Sequence, residues 1–229
     1  MSVSIGERYS VVLERVAKAA LRSGRAPGDV TLVAVSKTWP ADVVRSAIEA
    51  GVEVFGENRA QELKEKHSVV GERARWHFVG PLQSNKVRAV VGIAEVVHSV
   101  DRYGLAEAIA RRAHSLGTVQ DVLVEVNVAG EATKHGVDPS AAPALAAEVS
   151  ALEGIAVKGL MAIPPRTDDP EDTRPFFRDL AALRDILAGD LPNAVELSMG
   201  MSRDFEQAIE EGATIVRVGE AIFGPRRGV

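Results

Sequence analysis

Residues 4–23 repeat their apolar positions with a helical period. Tyr9, Val12, Val16 and Ala20 share one stripe, Leu13 lies beside it, and Glu7, Arg8, Glu14, Arg15 and Lys18 fall mostly off it. Gly24 and Pro27 end the pattern, so this segment predicts a helix that precedes any repeating unit. From residue 30 the pattern changes to short apolar runs, each followed by a longer amphipathic stretch. The predicted strands are 30–36, Val52 to Phe55, Arg75 to Val79, Glu95 to His98, Val119 to Val126, Ile155 to Leu160, Ala194 to Leu197 and Thr214 to Val218. Helices are predicted at 40–50, after Asn58 to His67, from Ser84, from an Asp101 cap to Leu116, from Pro139 to Ala151, from Glu171 to Ala188, and from Ser202 to Glu211.

Eight strands, each but the last followed by a helix, imply right-handed βαβ units and a parallel sheet. The count suits a closed (β/α)8 barrel of the TIM type with an extra N-terminal helix. An open doubly wound sheet is the alternative, and against it no glycine-rich dinucleotide fingerprint follows the first strand. No linker or low-complexity segment divides the chain, so residues 1–229 are expected to form one domain.

Composition narrows the function classes. Hydrophobic residues make up 46% and charged residues 26%, as in ordinary globular proteins. A net charge of -5 gives no overall attraction to nucleic acid or anionic lipid. The absence of cysteine removes disulfides, thiolate metal sites and cysteine nucleophiles. No apolar run reaches the length of a membrane span, and charges interrupt the N-terminal stretch where a signal-peptide core would lie. A cytoplasmic location, with no membrane or nucleic-acid partner, is expected.

The candidate chemistry sits at strand ends, where this barrel type places its sites. Lys37 follows the run Val33-Ala34-Val35-Ser36 and precedes Thr38-Trp39-Pro40. A lysine at the mouth of a buried strand either points at water or enters a cleft. In a cleft, desolvation disfavours the ammonium form and leaves a nucleophile suited to a Schiff base. Strand two offers Glu57 and Asn58; strand three His77, Gln83, Asn85 and Lys86; strand five Asn127, Lys134 and His135; strand six Met161. The loop Ser198-Met199-Gly200-Met201-Ser202 runs toward a helix, and Arg217-Val218-Gly219 adds a glycine where backbone can approach a ligand. Together these two loops resemble an anion cradle. Ser202 is equally a simple helix cap, with Glu206 just beyond the capping-box position, and Arg217 could be the partner of a carboxylate on a neighbouring strand. The five histidines lack metal-ligand spacing. His77 reads as a hydrogen-bonded barrel residue. Glu57 or Glu125 could be a general base, though neither has an evident carboxylate partner. Lys64, Lys66 and Lys86 read as solvated helix charges, and the acidic loop 166–172 as a surface loop rather than a lid. A lysine nucleophile at one end and a phosphate cradle at the other fit a phosphorylated aldehyde, and pyridoxal 5'-phosphate has that shape.

The motifs Ala34-Val35-Ser36-Lys37, Phe55-Gly56-Glu57-Asn58, His77-Phe78-Val79-Gly80-Pro81-Leu82-Gln83-Ser84-Asn85-Lys86, Gly159-Leu160-Met161-Ala162-Ile163, Leu197-Ser198-Met199-Gly200-Met201-Ser202, Val216-Arg217-Val218-Gly219 and Ile222-Phe223-Gly224 span nearly the whole chain. With them the sequence resembles the pyridoxal phosphate homeostasis protein family, whose barrel is that of the alanine racemase N-terminal domain, fold type III among pyridoxal phosphate proteins. The resemblance implies that Lys37 holds the cofactor as a Schiff base. It implies that Ser198, Ser202 and the backbone at Gly219 take the phosphate, that Arg217 faces the pyridine nitrogen, and that Asn58 and Met161 lie near the ring. Departures from the family pattern are Ala129 and Thr133, where serines are usual, and Arg203, where a smaller or acidic residue is common.

The resemblance implies a carrier that buffers pyridoxal phosphate within vitamin B6 homeostasis and delivers it to apo-enzymes; a monomer is expected. An amino-acid racemase is the alternative. A racemase needs a base on each face of the substrate carbon. In alanine racemase the second base is a tyrosine from another domain, and the tyrosines here are Tyr9, on the extra helix, and Tyr103, at the start of a barrel helix. An always-charged arginine at the ring nitrogen also keeps that nitrogen unprotonated and the ring a weak electron sink, although alanine racemase shares that arginine.

Overall fold

The computed structural model describes residues 3–131 and 134–225. The first helix, α1 (Ile5–Arg22), is set by a capping box: the Ser4 hydroxyl accepts from the Glu7 amide, and the Glu7 carboxylate accepts from the Ser4 amide. Such a cap contributes about 1 kcal/mol. Its buried residues are Val12, Val16, Ala19 and Ala20, so the apolar stripe is the face that docks.

The strands β1 (Thr31–Val35), β2 (Val54–Glu57), β3 (Arg75–Phe78), β4 (Val96–Val100), β5 (Gln120–Val126), β6 (Ile155–Ala162), β7 (Glu196–Ser198) and β8 (Ile215–Val218) close in sequence order into a parallel barrel, with β8 paired to β1. The (β/α)8 expectation is met. Helices α2 (Ala41–Glu49), α3 (Ala60–Val70), α4 (Tyr103–Ser115), α5 (Ala142–Ser150), α6 (Arg174–Asp190) and α7 (Phe205–Glu210) surround it. The main core lies between strands and helices. A smaller cluster of Val33, Val35, Val54, Leu123, Met161 and Ile215 fills the barrel interior.

Several boundaries differ from expectation for local reasons. After β3 the chain forms a 3-10 segment, Ser84–Ala89, in place of an α-helix; Pro81 and Gly92 bracket it. A four-residue helix, α8 (Glu220–Phe223), follows β8, where no helix was expected. Strand β2 lies two residues later than predicted because Gly56 belongs to it. A side chain there would meet Val33 at 2.8 Å and Val35 at 3.2 Å, so glycine is an interior strand residue rather than a turn. Asp101 is not a cap: α4 begins at Tyr103 after Arg102, and Asp101 pairs with the Arg102 guanidinium at 2.5 Å. Ion pairs Arg15–Glu206 and Arg22–Glu210 tie α1 to α7. No helix among the described residues is long and apolar enough to cross a membrane.

Candidate functional site

The C-terminal mouth of the barrel opens into a cavity of about 750 Å3. Lys37, just beyond β1, Asn58, just beyond β2, and Arg217 on β8 all line it, as do Ser202 and Gly219. Five of the seven predicted site residues therefore share one cavity. Met161 does not line it: its side chain is buried in the interior cluster below. Ser198 is fully buried and is engaged within the barrel.

What engages Ser198 is a chain of buried hydrogen bonds across the interior. The Arg217 Nη1 donates to Ser198 Oγ at 2.5 Å, and Nη2 donates to the Ala162 carbonyl at 3.0 Å. His98 Nδ1 lies 2.8 Å from Ser198 Oγ, and His98 Nε2 lies 2.9 Å from His77 Nδ1. Arg217 can only donate, so Ser198 Oγ accepts from it; in the arrangement that also gives the serine hydrogen an acceptor, Ser198 donates to His98 Nδ1 and His98 Nε2–H donates to His77. Both rings are neutral: burial lowers the His77 pKa to about 4, and burial together with His77 and Arg217 takes His98 well below the ordinary value. His77 is the hydrogen-bonded barrel residue expected from the sequence, but its partner His98 was not foreseen. Burial also lowers the Arg217 pKa to about 10, which leaves it a cation at neutral pH. Its direct acceptors are a hydroxyl and a carbonyl rather than the carboxylate that sequence allowed; Glu125 and Asp204 act on it at longer range.

Ser202 does not cap the helix after it. Asp204 stands at the N-cap position of α7, but its side chain makes no cap bond to the helix; its Oδ1 accepts from the Met201 amide at 2.7 Å, within the loop before α7 begins at Phe205. The Ser202 hydroxyl instead accepts from the Gly219 amide at 3.3 Å and the Ala221 amide at 3.5 Å, which joins the strand-seven loop to the start of α8. Gly219 packs so closely on β1 that a Cβ would sit 3.0 Å from the Val35 carbonyl.

The loop expected on the outer surface is a wall of this cavity. Arg166, Thr167, Asp168 and Pro170 line it together with Pro164 and Pro165. Strand β6 runs to Ala162, two residues past the predicted end, and Pro164-Pro165 then carries the chain across the mouth. Glu171 at the loop's far end is held by Arg174 and Gln207, so the wall is anchored to α6 and α7. A smaller recess of about 200 Å3 opens beside the cavity and shares Val79, Pro81, Lys134 and Ile163 with it. Glu125, only 5% exposed, lines this recess with His135. Burial, reinforced by Asp101 and opposed by Arg217, raises its pKa to about 7. The strand-five loop continues through Lys134; Ala132 and Thr133 lie outside the described residues.

Lys64 and Lys86 are exposed, as expected. Lys66 is not: it is 4% exposed, and its Nζ bonds Glu57 Oε1 at 2.5 Å and the Ser36 carbonyl at 2.8 Å. Oε1 of the Glu57 carboxylate, a base candidate by sequence, is thus occupied by Lys66 and by the Ser36 hydroxyl at 2.7 Å, on the side of the barrel wall that faces α3, while Oε2 is buried without a hydrogen-bond partner among the described residues. Lys66, His98, Asp204 and the loop 164–168 are the site features that sequence reasoning missed. Only the Pro164-Pro165 pair, directly after a strand, could have signalled one of them.

Among the described residues no group of three or more histidine or carboxylate side chains could hold a metal ion. The model of the alanine racemase N-terminal domain family matches residues 14–227. A pyridoxal phosphate homeostasis protein of Aquifex aeolicus is 48% identical over 223 residues, covering 96% of this chain and 98% of its own. A solved structure from Bifidobacterium adolescentis matches with a TM-score of 0.90 and 39% identity over 96% of this chain and 94% of that one. The structure of PipY from Synechococcus elongatus, solved with pyridoxal phosphate bound, matches with a TM-score of 0.82 and 38% identity over 93% of this chain and all of that one.

Proposed function

The chain belongs to the pyridoxal phosphate homeostasis protein family, built on the alanine racemase N-terminal domain, and on that premise we propose that it carries and buffers pyridoxal 5'-phosphate. The observation that supports this most is the convergence of Lys37, Arg217, Ser202 and Gly219 on one cavity. The donor set fits the group. Lys37 supplies a primary amine for the aldehyde, in a reversible Schiff base formed with loss of one water. Arg217, locked as a donor by Ser198 and Ala162, presents a fixed cation to the ring nitrogen. Ser202, Gly219 and the strand-seven loop are placed for the phosphate. Asn58 borders the ring, Met161 supports the floor from below, and Ser198 acts through Arg217. In this reading the protein is a single-domain cytoplasmic monomer that delivers the cofactor to apo-enzymes and catalyses no turnover.

The racemase alternative requires a second base at the mouth. Tyr103 is 43% exposed on α4. Tyr9, on α1, is packed against the core and feels the charge of Glu53, which directly precedes β2 at the strand N-terminal end, away from the cavity. Neither tyrosine lines the cavity.

The test is an absorption spectrum of the purified protein with pyridoxal phosphate, before and after borohydride, followed by peptide mapping. The expected result is a band lost on reduction and an adduct on Lys37. An adduct that never includes Lys37, or no band at all, overturns the proposal. Steady conversion of one alanine enantiomer into the other would overturn the carrier reading and leave the cofactor standing.

A further inference from the structure

The turn that carries Lys37 is held from behind by buried charges that never reach the cavity. Val33 and Val35 face the barrel interior, so Ser36 faces outward, toward α3. Its amide donates to the Gly56 carbonyl at 3.0 Å, its hydroxyl donates to Glu57 Oε1 at 2.7 Å, and its carbonyl accepts from Lys66 Nζ at 2.8 Å. Thr38, on the other side of Lys37, donates its amide to Glu62 Oε2 at 2.8 Å. Lys66 also reaches Glu57 at 2.5 Å and Glu62 at 3.4 Å, with Glu62 one helical turn before it on α3. Thr38 has φ of 70°, the one non-glycine residue in the left-handed region among those described. A threonine is strained there and stays only when its surroundings hold it. Glu62 is the side chain that holds it.

We propose that Glu57, Glu62 and Lys66 form a positioning clamp that fixes the Ser36–Thr38 turn and so aims the Lys37 amine into the cavity. The proposal rests on the reading of Lys37 as the capturing amine and assigns that aim to residues outside the site. Three features favour a clamp over generic packing. Both residues flanking Lys37 are bound by side chains of the same cluster. The cluster spends a buried lysine and a buried carboxylate on backbone and hydroxyl groups, where apolar residues would pack at lower desolvation cost. Burial raises the Glu57 pKa against the pull of Lys66, so the position is costly and the backbone geometry is what it maintains. The same contacts show that Lys66, although it lies beside Lys37 in the fold, is not itself a capturing amine, because its Nζ is committed to three acceptors.

The experiment uses Glu62→Ala, Glu62→Gln and the paired change Lys66→Met with Glu57→Gln, which leaves no unpaired buried charge. Glu62 is partly exposed, so its variants are expected to fold. Two readouts are taken on each protein. Trace acetylation with acetic anhydride across a pH series, with peptide mapping, reports the reactivity of Lys37 without any cofactor. Borohydride trapping with pyridoxal phosphate reports the capture rate. Displacing a reacting atom by about 1 Å costs on the order of a hundredfold. Glu62→Ala and the paired variant are therefore expected to slow capture at least about tenfold and to shift the acetylation profile of Lys37. Glu62→Gln keeps an acceptor for the Thr38 amide and is expected to restore both. Lys66 stays unlabelled in the folded wild type. Wild-type behaviour of Glu62→Ala in both readouts overturns the clamp, as does acetylation of Lys66 as fast as that of surface lysines. If wild type traps no cofactor on Lys37 but the acetylation shift is present, the carrier reading falls and the clamp stands.

Discussion

Glu125→Gln is expected to stabilise the ligand-free protein by about 3 kcal/mol at pH 8 and by almost nothing at pH 4. Glu125 is 5% exposed, and its pKa is raised from 4.5 to about 7, by burial first and by Asp101 second, against the pull of Arg217. A carboxyl whose folded-state pKa is raised favours the fold while protonated. That contribution is complete below about pH 4.5 and is lost as the pH climbs through 7, because the fold must then hold a poorly solvated carboxylate. Glutamine has nearly the shape of the protonated acid and never ionises. The gain from Glu125→Gln should therefore grow between pH 4.5 and 7 and level off above. Urea unfolding at half-unit steps of pH measures it. A gain that is flat with pH would mean that Glu125 is solvated or paired in solution. A loss at pH 8 would mean that the carboxylate is needed by Arg217 more than its burial costs.

The barrel was legible in the sequence because the evidence for it is repetitive. Eight apolar runs, each separated by an amphipathic stretch, leave few topologies, and small errors at β2 or β7 do not change the count. The cavity residues were legible where they lie on strand ends, since Lys37, Asn58, Arg217 and Gly219 follow directly from register. What stayed hidden depends on which face a side chain takes beyond the predicted ends. Ser198 is on the last residue of β7, and its hydroxyl turns inward to Arg217 and His98. Lys66 looks like any lysine on a charged helix until Glu57 is known to face α3 across the barrel wall. Gly56 and Glu57 fall beyond the predicted end of strand two at Phe55, because the space available at Gly56 is set by Val33 and Val35, distant in sequence. The loop after β6 contains nothing suited to chemistry, and its importance is positional: it walls the cavity with ordinary residues.

The buried histidines predict a loss of stability on the acid side, opposite in sign to the effect of Glu125. His77 has its pKa lowered from 6.5 to about 4, and burial, with His77 and Arg217, holds His98 well below its ordinary value. A histidine held neutral by the fold contributes stability that is present above about pH 6.5 and is lost as pH falls toward 4, since the unfolded chain binds the protons that the native state refuses. For His77 alone this amounts to about 3 kcal/mol. In wild type Glu125 offsets much of it over the same interval, so the acid loss should be steeper in Glu125→Gln than in the parent. The hydrogen-bond chain states why protonation is costly beyond desolvation. Charging His98 puts a proton on Nδ1 that faces Ser198 Oγ, which already accepts from Arg217, and the serine hydrogen then has no acceptor. His98→Gln can keep the same polarity, with its amide oxygen toward Ser198 and its amide nitrogen toward His77, and it cannot be protonated. In the Glu125→Gln background, His98→Gln is therefore expected to retain stability at pH 8 within about 1 kcal/mol and to flatten the acid limb. His98→Leu should lose about 1–3 kcal/mol at pH 8, because the serine hydroxyl keeps Arg217 as donor but its hydrogen is left with no acceptor. An acid limb equally steep with and without His98 would show that the chain does not hold a neutral ring there, and with it would go the argument that Arg217 is fixed as a donor by what lies beneath it.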